Sequence, residues 1–180
     1  MLAVASHTYV ELCIVKASEL AKISEGLAMT AAATLPLVNI TGDQLIRLGA
    51  KVRPGESILI TGALGAVGQP AVFAACEIGT RVIASVRGRS LDAARKLNGV
   101  SEGIAIDDDA ELDKLPLLDC VADTVGGKLA EKLIAKVKQG GTFGCFPSSP
   151  QDPRSTLRSN SILSSRRPPR ITLKPYKTER

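Results

Sequence analysis

One short run sets the strongest limit on what this chain can fold into: Gly62-Ala63-Leu64-Gly65-Ala66-Val67-Gly68. It follows a short aliphatic segment at residues 57–60, and Val67, Ala71, Ala74 or Ala75, and Ile78 then recur at helical spacing. A strand that leaves through glycines three residues apart and opens directly into a helix is a phosphate-cradling turn. Gly62 permits the tight exit, Gly65 lets the backbone approach a pyrophosphate, and Gly68 has no Cβ to hold the helix off the strand. Open N–H groups and the helix dipole then favour a negatively charged phosphate bridge. Pro70 falls in the first helical turn, where its missing N–H costs little. No Gly-Lys-Ser/Thr follows, which excludes a Walker loop.

The surroundings extend this unit into an alternating chain. Strands are predicted at residues 57–60, 81–86, 103–106, 117–122 and 142–146, the last entered through Gly140-Gly141. Between them lie the helix after the glycine loop, helices over 90–97 and 108–115, and one marked by Leu129, Leu133 and Val137. Alternation of this kind means a Rossmann-type, doubly wound parallel sheet with right-handed crossovers. With no Trp and 3% aromatic residues, its core must be built from Val, Ile, Leu and Ala. Upstream, residues 8–15 read as a strand, and Ser18 or Ser24 could cap a helical stretch that Pro36 ends at Leu35. Thr41-Gly42-Asp43-Gln44 has the capping-box spacing of a second helix, which Gly49 ends.

From Pro147 the pattern stops. Six of the ten prolines lie there among many Ser and Arg residues, the composition of a disordered tail. Residues 151–180 hold eight basic residues against Asp152 and Glu179, so the net charge of +5 belongs to the tail. With one aromatic, Tyr176, and no defined motif, that tail is a weak candidate for nucleic acid. No apolar run approaches the roughly 18–20 residues that span a bilayer, and Met1-Leu2-Ala3-Val4-Ala5 has no basic leader; a cytoplasmic protein is expected. Cys13, Cys76, Cys120 and Cys145 are scattered and read as core or near-core thiols, with no metal site.

The second strand selects the cofactor. Users of NAD place an acid about 20 residues past the loop to bind the ribose hydroxyl. Here the segment reads Ala84-Ser85-Val86-Arg87-Gly88-Arg89-Ser90, with no acid along it. Ser85 offers a hydroxyl, and Arg87 and Arg89 offer guanidinium groups suited to a 2′-phosphate, so NADP(H) is expected.

Several runs together resemble the zinc-independent quinone and enone reductase branch of the medium-chain dehydrogenase/reductase superfamily. They are Tyr9-Val10-Glu11, Ala31-Ala32-Ala33-Thr34-Leu35-Pro36, Val52-Arg53-Pro54-Gly55-Glu56 on to Gly68, and Gly79-Thr80-Arg81-Val82-Ile83-Ala84. Val121-Ala122-Asp123-Thr124-Val125-Gly126-Gly127 and Gly140-Gly141-Thr142-Phe143-Gly144 complete the series. The resemblance implies hydride transfer from NADPH to a small quinone, enone or carbonyl substrate such as an aldehyde, without a membrane, and the dimer typical of the family. It also places Thr41 near the cofactor, although Thr41 reads equally well as a helix cap. By the same match, residues 1–40 are a remnant of a GroES-like catalytic domain, 41–147 the NADP-binding domain and 148–180 a basic tail. The chain then looks like a member shortened at its N-terminus and divergent at its C-terminus, and no catalytic acid or base is nominated.

Two other readings stay open. One is a non-catalytic NADPH-binding module. The other is a short-chain reductase or epimerase-like enzyme, whose fingerprint Thr61-Gly62-x-x-Gly65-x-x-Gly68 also fits; its Tyr-x-x-x-Lys pair is missing at both Tyr9 and Tyr176.

Overall fold

The computed structural model describes residues 1–145. Among these, Met1–Val38 and the residues from Asn39 onward form two compact units. In the first, a single-residue antiparallel bridge joins Leu2 to Ala21 and a 3-10 turn covers Ala17–Glu19. The strand expected over residues 8–15 does not form. A strand needs a neighbour to take up its N–H and C=O groups, and no described residue pairs with this segment. Tyr9, Leu12 and Ile14 are therefore left exposed, and Cys13 is exposed too, rather than a near-core thiol.

Helix α1 spans Met29–Gln44 and continues directly into a π turn, Leu45–Ala50. Pro36 lies inside α1 instead of ending it, Thr41 sits mid-helix instead of capping a second one, and Ser18 and Ser24 precede the helix without capping it. An interior proline costs about 3 kcal/mol. That local penalty is outweighed at the far end of the helix, where Leu45, Ile46 and Ala50 are fully buried in the core. The turn closes past Gly49, at Lys51, whose left-handed backbone (φ 52°) sends its N–H back to the Ile46 carbonyl at 2.8 Å.

The sheet that follows has five strands, all parallel: β1 Ser57–Thr61, β2 Arg81–Val86, β3 Val100–Ala105, β4 Leu118–Asp123 and β5 Val137–Cys145. Their order is β3-β2-β1-β4-β5. The connecting helices are α2 Gly68–Ile78, α3 Leu91–Arg95, α4 Asp109–Lys114 and α5 Gly127–Ile134. Alternate residues of each strand feed two cores. Ile58, Ile60, Val82, Ala84 and Ala122 pack with the π turn, α2 and Ala94 of α3. Leu59, Ile83 and Val121 pack on the other face with Leu112 of α4 and Leu133 of α5. This is the doubly wound α/β arrangement expected from the alternation.

Val137 departs from the sequence reading. It begins β5 and pairs with Leu118, because α5 stops at Ile134. The next registered pair is Cys120 with Thr142, so residues 138–141 bulge out of the ladder. Gly140 (φ 83°) makes that excursion, which is why the glycine pair looked like a turn ahead of the strand. The expected strand end at Phe146 and the tail over 148–180 lie outside the described residues.

Candidate functional site

In an open parallel sheet the strand order reverses where two neighbouring strands send their crossovers to opposite faces, leaving a crevice beyond their carboxyl ends. Here that point lies between β1 and β4. The glycine loop leaves β1 at this crevice. Gly62 has φ 61°, and a side chain on it would meet the Thr124 hydroxyl at 2.6 Å. A Cβ on Gly65 would lie 3.0 Å from the Gly62 carbonyl oxygen, and one on Gly68 would collide with that same oxygen. Only glycine lets the start of α2 come this close to the end of β1.

The loop holds its own shape. Gly65 N–H donates to the Gly62 carbonyl at 2.7 Å, Gln69 N–H to the Gly65 carbonyl at 3.0 Å, and the Gln69 side-chain amide to the Leu64 carbonyl at 3.0 Å. Ala63 is buried and its N–H donates to the Ser85 carbonyl at 3.3 Å, tying the loop to β2. Among the described residues, the N–H groups of Leu64, Ala66 and Val67 donate to nothing, while Gly65 and Ala66 are exposed. These open donors at the head of α2 form a cradle for an anion. Gly42, which follows Thr41 in the chain, is packed so closely against the first turn of α2 that a Cβ there would lie 2.9 Å from the Val67 carbonyl oxygen.

Arg87 and Arg89 stand exposed just past the end of β2, and among the described residues neither forms an ion pair. Ser85 is different. Its residue is fully buried and its hydroxyl has no hydrogen-bond partner, so it faces the sheet interior and not solvent. An acid does come near, from the next strand: Asp107 Oδ1, just beyond β3, accepts the Gly88 N–H at 2.7 Å. A search along the second strand alone could not find it, because parallel pairing of β2 with β3 is what brings it there.

A polar row runs along the carboxyl edge of the sheet. Ser85 is in register with Thr61, Thr61 bonds Asp123, and Asp123 is in register with Cys145. Asp123 is 2% exposed and its carboxylate is fully engaged. Oδ1 accepts the Thr61 hydroxyl at 2.6 Å and the Val125 N–H at 3.1 Å, and Oδ2 accepts the Gly126 N–H at 3.0 Å. Thr61 Oγ1 in turn accepts the Thr124 N–H at 2.8 Å, and the Thr124 hydroxyl donates to the Thr61 carbonyl at 2.7 Å. The Cys145 thiol is held protonated by burial and by the nearby Asp123 charge. The sequence contained Asp123 and Thr124 within a recognisable run, but nothing in that run shows that they reach across to Thr61.

Among the described residues, no group of three His, Cys, Asp or Glu side chains is arranged to hold a metal ion, and no helix is long and apolar enough to cross a membrane.

No family model matches the chain. It is 30% identical over 133 residues to the polyketide synthase GfsB of Streptomyces halstedii, which covers 73% of this chain and 2% of the synthase. Among solved structures, the quinone oxidoreductase from Coxiella burnetii is similar at 29% identity and TM-score 0.64, over 70% of this chain and 39% of that one. The CurK enoyl reductase shares the fold at 23% identity and TM-score 0.69, over 75% of this chain and 42% of that one. The chain therefore spans about two fifths of these structures and a small part of the synthase, and is a partial match to larger domains of the quinone oxidoreductase and enoyl reductase-like fold.

Proposed function

From a chain whose fold is that of the medium-chain dehydrogenase/reductase superfamily, we propose that it forms the dinucleotide-binding part of an NADP(H)-dependent reductase. The observation that carries this reading is the glycine cradle at the β1–β4 crevice, where a Cβ on Gly68 would strike the Gly62 carbonyl and three N–H groups stand open. Gly62 to Gly68 hold the pyrophosphate. Arg87 and Arg89 take the 2′-phosphate, positioned by the turn that Asp107 ties down through Gly88. Ser85 contributes through its carbonyl, which fixes Ala63. Thr41 borders the first turn of α2 beside the bound cofactor.

When bound, NADPH supplies the hydride, and the protein's task is binding and orientation. The substrate class is a quinone, carbonyl or enone, with the activated C=C bond favoured by the likeness to an enoyl reductase and to a polyketide synthase. Residues 1–40 are assigned to the end of a GroES-like substrate domain, 41–147 to the dinucleotide-binding domain and 148–180 to a basic tail.

Titration with NADPH and NADH, on the wild type and on Arg87→Ala, tests the assignment. One charge-assisted contact to phosphate contributes about 1.5–3 kcal/mol, so the variant should lose roughly 10- to 100-fold in NADPH affinity and little for NADH. Equal affinity for both cofactors, unchanged by the substitution, would refute the NADP(H) assignment. Turnover of quinones, enones and aldehydes with NADPH then separates a reductase from a binding module.

A further inference from the structure

We infer that Asp123 is a positioning residue that holds the far side of the dinucleotide crevice, so that its loss weakens the nicotinamide end of the ligand more than the adenosine end. The inference rests on the dinucleotide reading above. A carboxylate that is 2% exposed and has no cation partner among the described residues is a costly choice if the need were only to satisfy two backbone N–H groups. An ionised carboxylate can accept at both oxygens without donating at either. That is what this place requires, because every group hydrogen-bonded to the Asp123 carboxylate among the described residues is a donor: the Thr61 hydroxyl, the Val125 N–H and the Gly126 N–H.

These bonds fix a turn that glycine alone would leave loose. Gly126 has φ 77° and ψ −164°, a conformation open essentially to glycine alone, and Gly127 follows with φ 66°, in the left-handed region that favours glycine. Between Asp123 and this pair, Val125 is held half exposed, with a methyl group 3.4 Å from where a Cβ on Gly62 would stand. Asp123 thus clamps an apolar side chain over the start of the glycine loop. The arginines stand past β2 on one side of β1, and Val125 stands past β4 on the other. A ligand with its 2′-phosphate at the arginines and its pyrophosphate on the loop must carry its other end towards Val125.

The test compares two probes on the full chain: NADPH, and 2′,5′-ADP, which has only the adenosine end. Asp123→Asn keeps the volume but puts an NH2 against at least one donor. In that variant the NADPH Kd is expected to rise tenfold or more while the 2′,5′-ADP Kd stays within twofold. Thr61→Val should shift the same ratio, and Thr61→Ser, which keeps the hydroxyl, should retain the wild-type ratio. A merely structural role would lower thermal stability without changing the ratio. If folded Asp123→Asn, or folded Thr61→Val should Asp123→Asn fail to fold, weakens both probes equally or neither, the positioning role is overturned while the dinucleotide reading stands. If the wild type binds neither probe, the dinucleotide reading falls and this role falls with it.

Discussion

Gly68→Ala puts the approach of α2 to β1 under direct strain. The added Cβ would run into the Gly62 carbonyl oxygen, with the Gly62 carbonyl carbon at 2.7 Å and Ala63 Cα at 2.8 Å. The φ of Gly68 is not positive, so alanine introduces no backbone strain of its own. Within a helix it is even favoured over glycine, by roughly 0.5–1 kcal/mol. Against this stands overpacking, which costs about 1–3 kcal/mol where the neighbours can adjust. Here the neighbours are backbone atoms at the end of β1 and the start of the loop, which cannot swing aside as a side chain would, so the upper end of that range applies. The net loss is about 2 kcal/mol, accompanied by a displaced cradle and at least a tenfold weaker hold on NADPH. Gly65→Ala is the matched control: its Cβ would lie 3.0 Å from the same oxygen, a conflict that a shift of a few tenths of an ångström relieves. Since the chain has no Trp, urea unfolding is best followed by far-UV circular dichroism. A lowered midpoint at constant slope is expected for Gly68→Ala, and less than half that shift for Gly65→Ala. Equal midpoints for Gly68→Ala and wild type, or equal losses in the two variants, would refute the packing argument.

Asp119 governs acid behaviour at the other end of the sheet, where the Lys138 ammonium and the Ser57 hydroxyl and N–H hold its carboxyl well below the usual carboxylate range. A depressed folded-state pKa gives stability that is full at neutral pH, begins to fall below about pH 4 and is gone only once pH passes below the folded-state value. Asp119→Asn should therefore be less stable than wild type at pH 7, and the gap should narrow steadily, without closing, as pH is lowered from about 4 to about 2 in denaturant titrations. Thiol accessibility should be graded: Cys13, exposed, reacts with an aromatic disulfide reagent at once at pH 8, whereas Cys120, buried and pushed up to about 11, reacts only on unfolding. Labelling of Cys120 in the native state as fast as that of Cys13 would contradict the packing of β4 against the π turn.

The parts of this fold that the sequence announces are those with a local physical cause. The aliphatic run of β2 ends where Arg87 begins, and the predicted span, residues 81–86, matches the strand. The glycine loop is legible because each glycine answers a constraint within seven residues. Pro36 and Thr41 misled for the converse reason: their local signals are genuine, but the burial of Leu45 and Ile46 decides the helix. The strand expected at residues 8–15 shows the same limit, since an alternating segment still needs a partner. The place of Arg87 and Arg89 just past β2 could be read directly, whereas the contacts of Asp107 and Asp123 arise from pairing between strands distant in sequence and leave no local mark.

The β1–β4 seam is clasped at both ends, by Ser57 with Asp119 and by Thr61 with Asp123, each pair 62 residues apart. β1 meets β2 across only about 24 residues, Ser57 lying opposite Arg81. Closing the longer loop costs roughly 0.8 kcal/mol more in chain entropy. Contacts that close short loops form first, so β1, β2 and β3 can assemble while β4 is still free. The crevice does not exist until the two halves meet. A ligand seated there would bind only the finished molecule, and in a refolding experiment its capture would trail the recovery of helix, timing the last step of assembly.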